Sequence, residues 1–246
     1  MSVFPSRLKP LFGGLLLGLL LLLPLASGGA AVAAEPAMTV AKAPQGVVVE
    51  EAVFAGGCFW CLEQDFEKLP GVIEAESGYT GGSKAFPTYY EVASGGSLRN
   101  PTYRQVSAGG TGHQEVVRVR FDPARLPYAT LLRSYWRNVD PLDDGGQFCD
   151  RGSSYRPVIF TRGAEQQQQA KASLQAAARE LKRPASALRV QIRPLQSFWP
   201  AEGYHQNYAE TNAVKYRYYR WACGRDRRLD AVWGQQRARS GKVWAP

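Results

Sequence analysis

Histidine is scarce in this chain: its 246 residues hold only two, His113 and His205. Cysteine is scarce as well, the four being Cys58, Cys61, Cys149 and Cys223. A structural zinc site draws four ligands from closely spaced pairs. Here the single Cys-x-x-Cys of Cys58 and Cys61 has no second pair to complete it, so no metal site is expected. No segment repeats, which excludes a solenoid or propeller. Acidic residues are also in deficit, 21 against 30 Lys and Arg, for a formal charge of +9. The basic residues are scattered except between Lys215 and Arg228, where they alternate with Tyr216, Tyr218, Tyr219 and Trp221. A basic, aromatic-interleaved segment can bind nucleic acid. In an exported chain it reads instead as a solvated tail whose rings pack on the body, and no nucleic-acid partner is expected.

The expectation of export comes from the first 34 residues. Arg7 and Lys9 form a basic start, an apolar run extends from Leu11 to Ala26, and small residues follow to Ala34. This is the grammar of a secretory signal peptide, cleaved after Ala33 or Ala34. No cysteine lies near that end, which argues against a lipoprotein signal. An uncleaved leader would be a membrane anchor, the one route to a membrane. Residues 35–46 read as a flexible lead-in and residues 47–246 as a single catalytic domain with an irregular C-terminal tail, in an exported and most simply periplasmic protein. Loss of Arg7 and Lys9 lowers the charge from +9 to +7.

Periodicity gives the domain its class. Val47 to Phe54 reads as a strand, Cys58 to Leu69 as a helix closed by Pro70-Gly71, and Val72 to Tyr79 as a strand. A long segment rich in Gly, Ser, Pro and Tyr then runs from Thr80 to Gly112, and loops of that length carry function. Glu115 to Phe121 alternates as a strand, and a helix opened by Pro127 or Tyr128 follows to about Val139. A second irregular stretch covers Asp140 to Arg156. Val158 to Phe160 is a short strand, Ala164 to Leu181 a helix of strong helix formers, and Leu188 to Ile192 another strand. From Pro194 onward the chain reads as mostly irregular with short helical pieces. The order strand, helix, strand, strand, helix, strand is that of the ferredoxin-like split unit. The fold class is therefore α/β (α+β), a two-layer sandwich with a ferredoxin-like mixed sheet core and long irregular loops.

The chemistry concentrates at Gly56-Gly57-Cys58-Phe59-Trp60-Cys61. Cys58 follows a strand and opens a helix, where unpaired N–H groups and the positive dipole end favour a thiolate. A thiol there is expected to have a lowered pKa and to be nucleophilic near neutral pH. Cys58 and Cys61 are too close in sequence for a disulfide between them to stabilise the fold much, so the pair is better explained by redox chemistry.

Further motifs follow in order: Gly78-Tyr79-Thr80-Gly81-Gly82, Asn100-Pro101-Thr102-Tyr103, Gly112-His113-Gln114-Glu115, Gly146 to Tyr155, and Phe198 to Tyr208. Together with Gly57-Cys58-Phe59-Trp60 they resemble the A-type peptide methionine sulfoxide reductases, from about Val53 to Asn212. The resemblance implies that Cys58 attacks the sulfoxide sulfur and that Glu115, with a raised pKa, protonates its oxygen. Tyr103 and Tyr155 match tyrosines that hydrogen-bond this oxygen, Asp150 matches a nearby aspartate, and Phe59 and Trp60 match rings that hold the substrate methyl. His113 and His205 are expected to make structural hydrogen bonds. The resemblance also implies the S epimer as substrate, free or in proteins, no bound cofactor, and electrons from a thioredoxin-type donor. Many members have glycine where Cys61 stands and keep recycling cysteines in a Gly-rich tail. Here Cys61, Cys223 and Cys149 are all candidates to condense with the Cys58 sulfenic acid, and proximity favours Cys61.

Two rival readings use the same residues. A general thiol–disulfide oxidoreductase also sets Cys-x-x-Cys at a helix start, but has no use for Glu115 and the tyrosines. A non-enzymatic binder would use the basic aromatic tail to dock an anionic partner.

Overall fold

The computed structural model describes residues 46, 48–82 and 101–234. The leader, residues 35–45, Val47, residues 83–100 and the last twelve residues lie outside them. The first strand, β1 (Glu50–Ala55), leads into helix α1 (Phe59–Glu67) and then β2 (Val72–Thr80). A short helix, α2 (Tyr103–Ser107), precedes β3 (Gln114–Phe121) and α3 (Tyr128–Arg137). The two-residue strands β4 (Gly146–Gln147) and β5 (Asp150–Arg151) form a small hairpin, followed by a 3-10 turn at Ser153–Tyr155. Then come β6 (Val158–Thr161), the long helix α4 (Gly163–Glu180), β7 (Gln191–Pro194) and β8 (Trp199–Pro200). The chain closes with a 3-10 turn at Gly203–His205 and helices α5 (Tyr208–Thr211), α6 (Ala213–Cys223) and α7 (Arg225–Trp233).

The main sheet runs β7-β6-β1-β3-β2-β8. Its inner four strands have the antiparallel order of the ferredoxin-like unit, with β1 between β3 and β6 and β3 between β1 and β2. β7 adds a parallel edge beside β6 and β8 an antiparallel one beside β2. Strand alternation divides the core. Ala52 and Phe54 of β1 and Val117, Val119 and Phe121 of β3 face the helices, where Phe66, Tyr128, Leu131, Tyr135 and Trp136 meet them. Val53, Ala55 and Val116 face the other way with Val158 and Phe160. That second face is finished by Phe198, by Arg118 lying over the Phe198 ring, and by the cross-strand pairs Glu76–Arg118 and Glu74–Arg120.

Three expectations are corrected. The stretch from Pro194 is not mostly irregular, because α5, α6 and α7 together occupy more than half of its described length; Gly224 joins α6 to α7 at φ +71. The segment before β3 is not all loop, since Thr102 and Gln105 form a reciprocal capping box that starts α2. The strand read over Leu188 to Ile192 lies at Gln191–Pro194, with Leu188 and Val190 buried in the core just before it. No helix among the described residues is long and apolar enough to cross a membrane.

Candidate active site

The turn from β1 to α1 builds the site, and its glycine pair is required by space. Gly57 has φ +84, and a Cβ on it would come within 2.7 Å of the Gln147 Cβ. A Cβ on Gly56 would strike Val139 and Leu62. Gln147 is fully buried; its side-chain oxygen accepts from the Asp140 N–H at 2.8 Å and its amide donates to the Asp140 carbonyl at 2.9 Å. The loop before β4 is thereby fastened against the turn that carries Cys58.

Cys58 is the N-cap of α1 and 6% exposed. The free N–H groups at this helix start are used by two carboxyl groups. The Phe59 N–H donates to Glu115 Oε2 at 3.1 Å, and the Cys58 N–H donates to Asp150. This corrects the expected depression of the Cys58 pKa. Burial, the hydrogen bond with the Cys61 thiol, and the Glu115 and Asp150 carboxyl groups push the Cys58 thiol up. The thiol hydrogen bond, opposed by burial and aided by the positive charges of Arg225 and Arg220, lowers the Cys61 pKa. The more acidic thiol of the pair is thus Cys61.

Glu115, at the start of β3, is 2% exposed. Burial, reinforced by Asp150, pushes its carboxyl up to about 8 against the bonds from Phe59 and Tyr155. It is therefore protonated at neutral pH, as a general acid must be. Tyr155 is hydrogen-bonded to Glu115 and to Tyr103, so the three polar groups form one chain. Asp150, raised by burial, accepts from the Tyr219 hydroxyl at 2.6 Å. The structure thus brings Cys58, Glu115, Asp150, Tyr103 and Tyr155 together. Phe59 is 1% exposed, its ring sealed among Trp60, Tyr79, Tyr103 and His205. Trp60 is half-buried, stacked on Tyr208 at 3.7 Å, with its indole N–H donating to His205 Nδ1 at 3.1 Å. His113 Nδ1 accepts from the Gly82 N–H at 3.3 Å. Both histidines make the kind of contact expected of them.

Glu202 and Glu63 contribute without having been singled out in the sequence. Glu202 accepts from the Tyr103 N–H and the Tyr79 hydroxyl, both at 2.8 Å, and so fixes Tyr103. Glu63, buried on α1, accepts from the Asn207 N–H at 2.7 Å and from Ser77, tying α1 to the segment that holds His205. Tyr216 and Tyr219 belong to the basic aromatic stretch. Their rings pack on Cys58, Cys61 and Trp60, as a tail folded onto the body requires. Cys149 and Cys223 are joined by a disulfide, whereas Cys58 and Cys61 are free and buried. The Asp150 carboxylate lies within 4.8 Å of both disulfide sulfurs.

A buried thiol beside a protonated carboxylic acid and two linked tyrosyl hydroxyls defines a cysteine-dependent oxidoreductase. The sequence profile of one family, Peptide methionine sulfoxide reductase, matches residues 50–97 and 93–237. The chain belongs to that family. It is 51% identical over 185 residues to "Peptide methionine sulfoxide reductase MsrA 2" of Caulobacter vibrioides, covering 75% of this chain and 86% of the relative. It is 44% identical over 185 residues to the protein of the same name from Rhizobium meliloti, with 75% and 84% covered. Among solved structures it resembles methionine sulfoxide reductase A of Corynebacterium diphtheriae, at 29% identity and a TM-score of 0.58, over 68% of this chain and 76% of that one.

Proposed function

We propose that this chain reduces methionine-S-sulfoxide, free or in proteins, with Cys58 as nucleophile and Glu115 as acid. The observation that carries the reading is the Phe59 N–H bond to Glu115, which sets a protonated carboxyl one residue from the thiol. Glu115 gives its proton to the sulfoxide oxygen, and Tyr103 and Tyr155 hold that oxygen. The Cys58 sulfur attacks the sulfoxide sulfur, and its own proton replaces the one Glu115 gave. Oxygen passes to Cys58, which becomes a sulfenic acid, and the thioether leaves as methionine. Trp60 and the edge of the Phe59 cluster receive the methyl group. No bound cofactor enters, because every electron comes from thiols.

The second half of the cycle restores Cys58. Cys61 shares a hydrogen bond with it and is free, whereas Cys149 and Cys223 are held in their own disulfide. Cys61 therefore condenses with the sulfenic acid, and a thioredoxin-type donor reduces the product. The leader motif supports export, most simply to the periplasm, of a single domain spanning residues 47–246. The direct test is turnover of a methionine-sulfoxide peptide with dithiothreitol. Cys58→Ser should abolish it while the fold survives, because serine is a far weaker nucleophile. Activity within a few-fold of the wild type would refute the assignment.

A further inference from the structure

Arg225, the first residue of α7, is 1% exposed, yet among the described residues no carboxylate pairs with it. Its Nη1 donates to the Gly56 carbonyl at 3.2 Å and its Nη2 to the Asn138 carbonyl at 2.6 Å, while its Nε is buried without a partner. The guanidinium lies over the Phe148 ring at 4.5 Å and would be 3.6 Å from a Cβ on Gly57. Burying a charge is costly unless it is paired or fully hydrogen-bonded. A guanidinium kept in this state, directly against the two residues that precede Cys58, points to a use for the charge.

Resting on the reading that Cys61 resolves Cys58, we propose that Arg225 is a positioning residue of the recycling step, a fixed positive charge beneath the Cys58–Cys61 turn that holds Cys61 as the attacking thiolate. The Cys61 thiolate attacks the Cys58 sulfur of the sulfenic acid. The S–S bond forms and the S–O bond breaks. Hydroxide leaves, takes a proton from Glu115 and departs as water. Cys61 is oxidised and the sulfenic sulfur reduced, each by one electron in formal terms. The charged and titratable groups around Cys61 are Cys58 on its own helix, Asp65 one turn on, Arg220, Tyr216 and Tyr219 from α6, Glu115 from β3, and Arg225 from α7. Arg220 is already neutralised by Asp65 and Asp226. Among the described residues Arg225 makes no ion pair, although its charge also acts on the Asp150 carboxyl, so its field reaches the thiol less diminished than that of Arg220.

Two substitutions separate charge from scaffolding. Arg225→Gln keeps an amide donor for a carbonyl and removes the charge; Arg225→Lys keeps the charge and loses the forked donor geometry. In a Cys58→Ser background, thiolate absorbance near 240 nm reports Cys61 titration. The expected result is a midpoint raised by about one unit or more in Arg225→Gln, a tenfold loss of thiolate at a given pH, with Arg225→Lys close to the parent. With Cys58 intact, quenched-flow mapping after one equivalent of sulfoxide should show the Cys58–Cys61 disulfide forming about tenfold more slowly in Arg225→Gln. A Gln variant that titrates like its parent, or Lys and Gln variants that shift alike, would overturn the inference while leaving Cys61 as resolver. Linked peptides containing Cys58 and Cys223 would overturn the resolver itself. Loss of the folded state in both variants, read by thermal unfolding, would make Arg225 a scaffold residue instead.

Discussion

With Glu115 as the proposed acid, its raised carboxyl sets the expected pH behaviour. Its carboxyl titrates near 8 in the folded chain and near 4.5 in the unfolded one. Turnover should therefore fall as pH rises through about 8, when the acid loses its proton. Stability moves the same way. Below about pH 4.5 both states hold the proton and nothing is lost; between 4.5 and 8 the unfolded chain releases it first, so stability declines with rising pH. Glu115→Gln cannot ionise, and it should cut turnover by about 10²–10⁴-fold while flattening this decline. Melting temperatures at pH 5 and pH 9 check it: the variant should gain on the wild type at pH 9 and not at pH 5. An equal difference at both would mean that Glu115 is ionised throughout. The placing of Cys58 and Glu115 in one site was legible from the motifs that contain them. The protonation of Cys58 was not. A helix start predicts a depressed thiol pKa, and only the structure shows that the N–H groups creating that effect are bound to Glu115 and Asp150.

At the scale of elements, the site is a joint between β1, α1, the β4–β5 hairpin and the C-terminal helices. Strands and amphipathic helices announce themselves by period, so the inner sheet, α1, α3 and α4 were readable to within a few residues. The C-terminal helices were not, because α6 is lined on two sides. Tyr216 turns inward to the thiols, while Val214, Tyr218 and Trp221 stay exposed. With aromatic and basic residues on both sides, no apolar stripe stands out. Arg225 and Gln147 were hidden for a different reason: buried polar residues are the exception to any hydropathy pattern. Two expectations belong to this scale. Gly57→Ala should destabilise the fold and impair activity together, because the positive φ and the 2.7 Å approach to Gln147 both resist a methyl group. Equilibrium denaturation would measure it, and a loss below about 0.5 kcal/mol would mean the turn relaxes freely. Cys61→Ser should keep one stoichiometric reduction per enzyme but lose multiple turnover with a thioredoxin-type donor. Retained multiple turnover would move the resolving role elsewhere.

At the scale of the whole molecule, the proposed arrangement of the pocket predicts a stereochemical preference. On the proposed reading, the ring cluster around Trp60 receives the methyl, and Glu115, Tyr103 and Tyr155 hold the oxygen. Only one hand at sulfur then presents its face to Cys58. Exhaustive turnover of a racemic sulfoxide should leave the R epimer intact by chromatography; consumption of both at similar rates would contradict the geometry.

The C-terminal cover also has a consequence for how the molecule is made. Cys58 and Cys61 are closed over by Tyr216, and the disulfide that pins this region joins cysteines 74 residues apart. A chain emerging from its N-terminus exposes the reactive pair long before its lid exists. If the chain is made into an oxidising compartment, Cys58 and Cys61 are the first two thiols available to each other. Newly made protein should therefore finish folding with Cys58 and Cys61 already oxidised. Its first turnover would then wait on the donor, and time-resolved thiol trapping during refolding should find the near pair joined before the distant one.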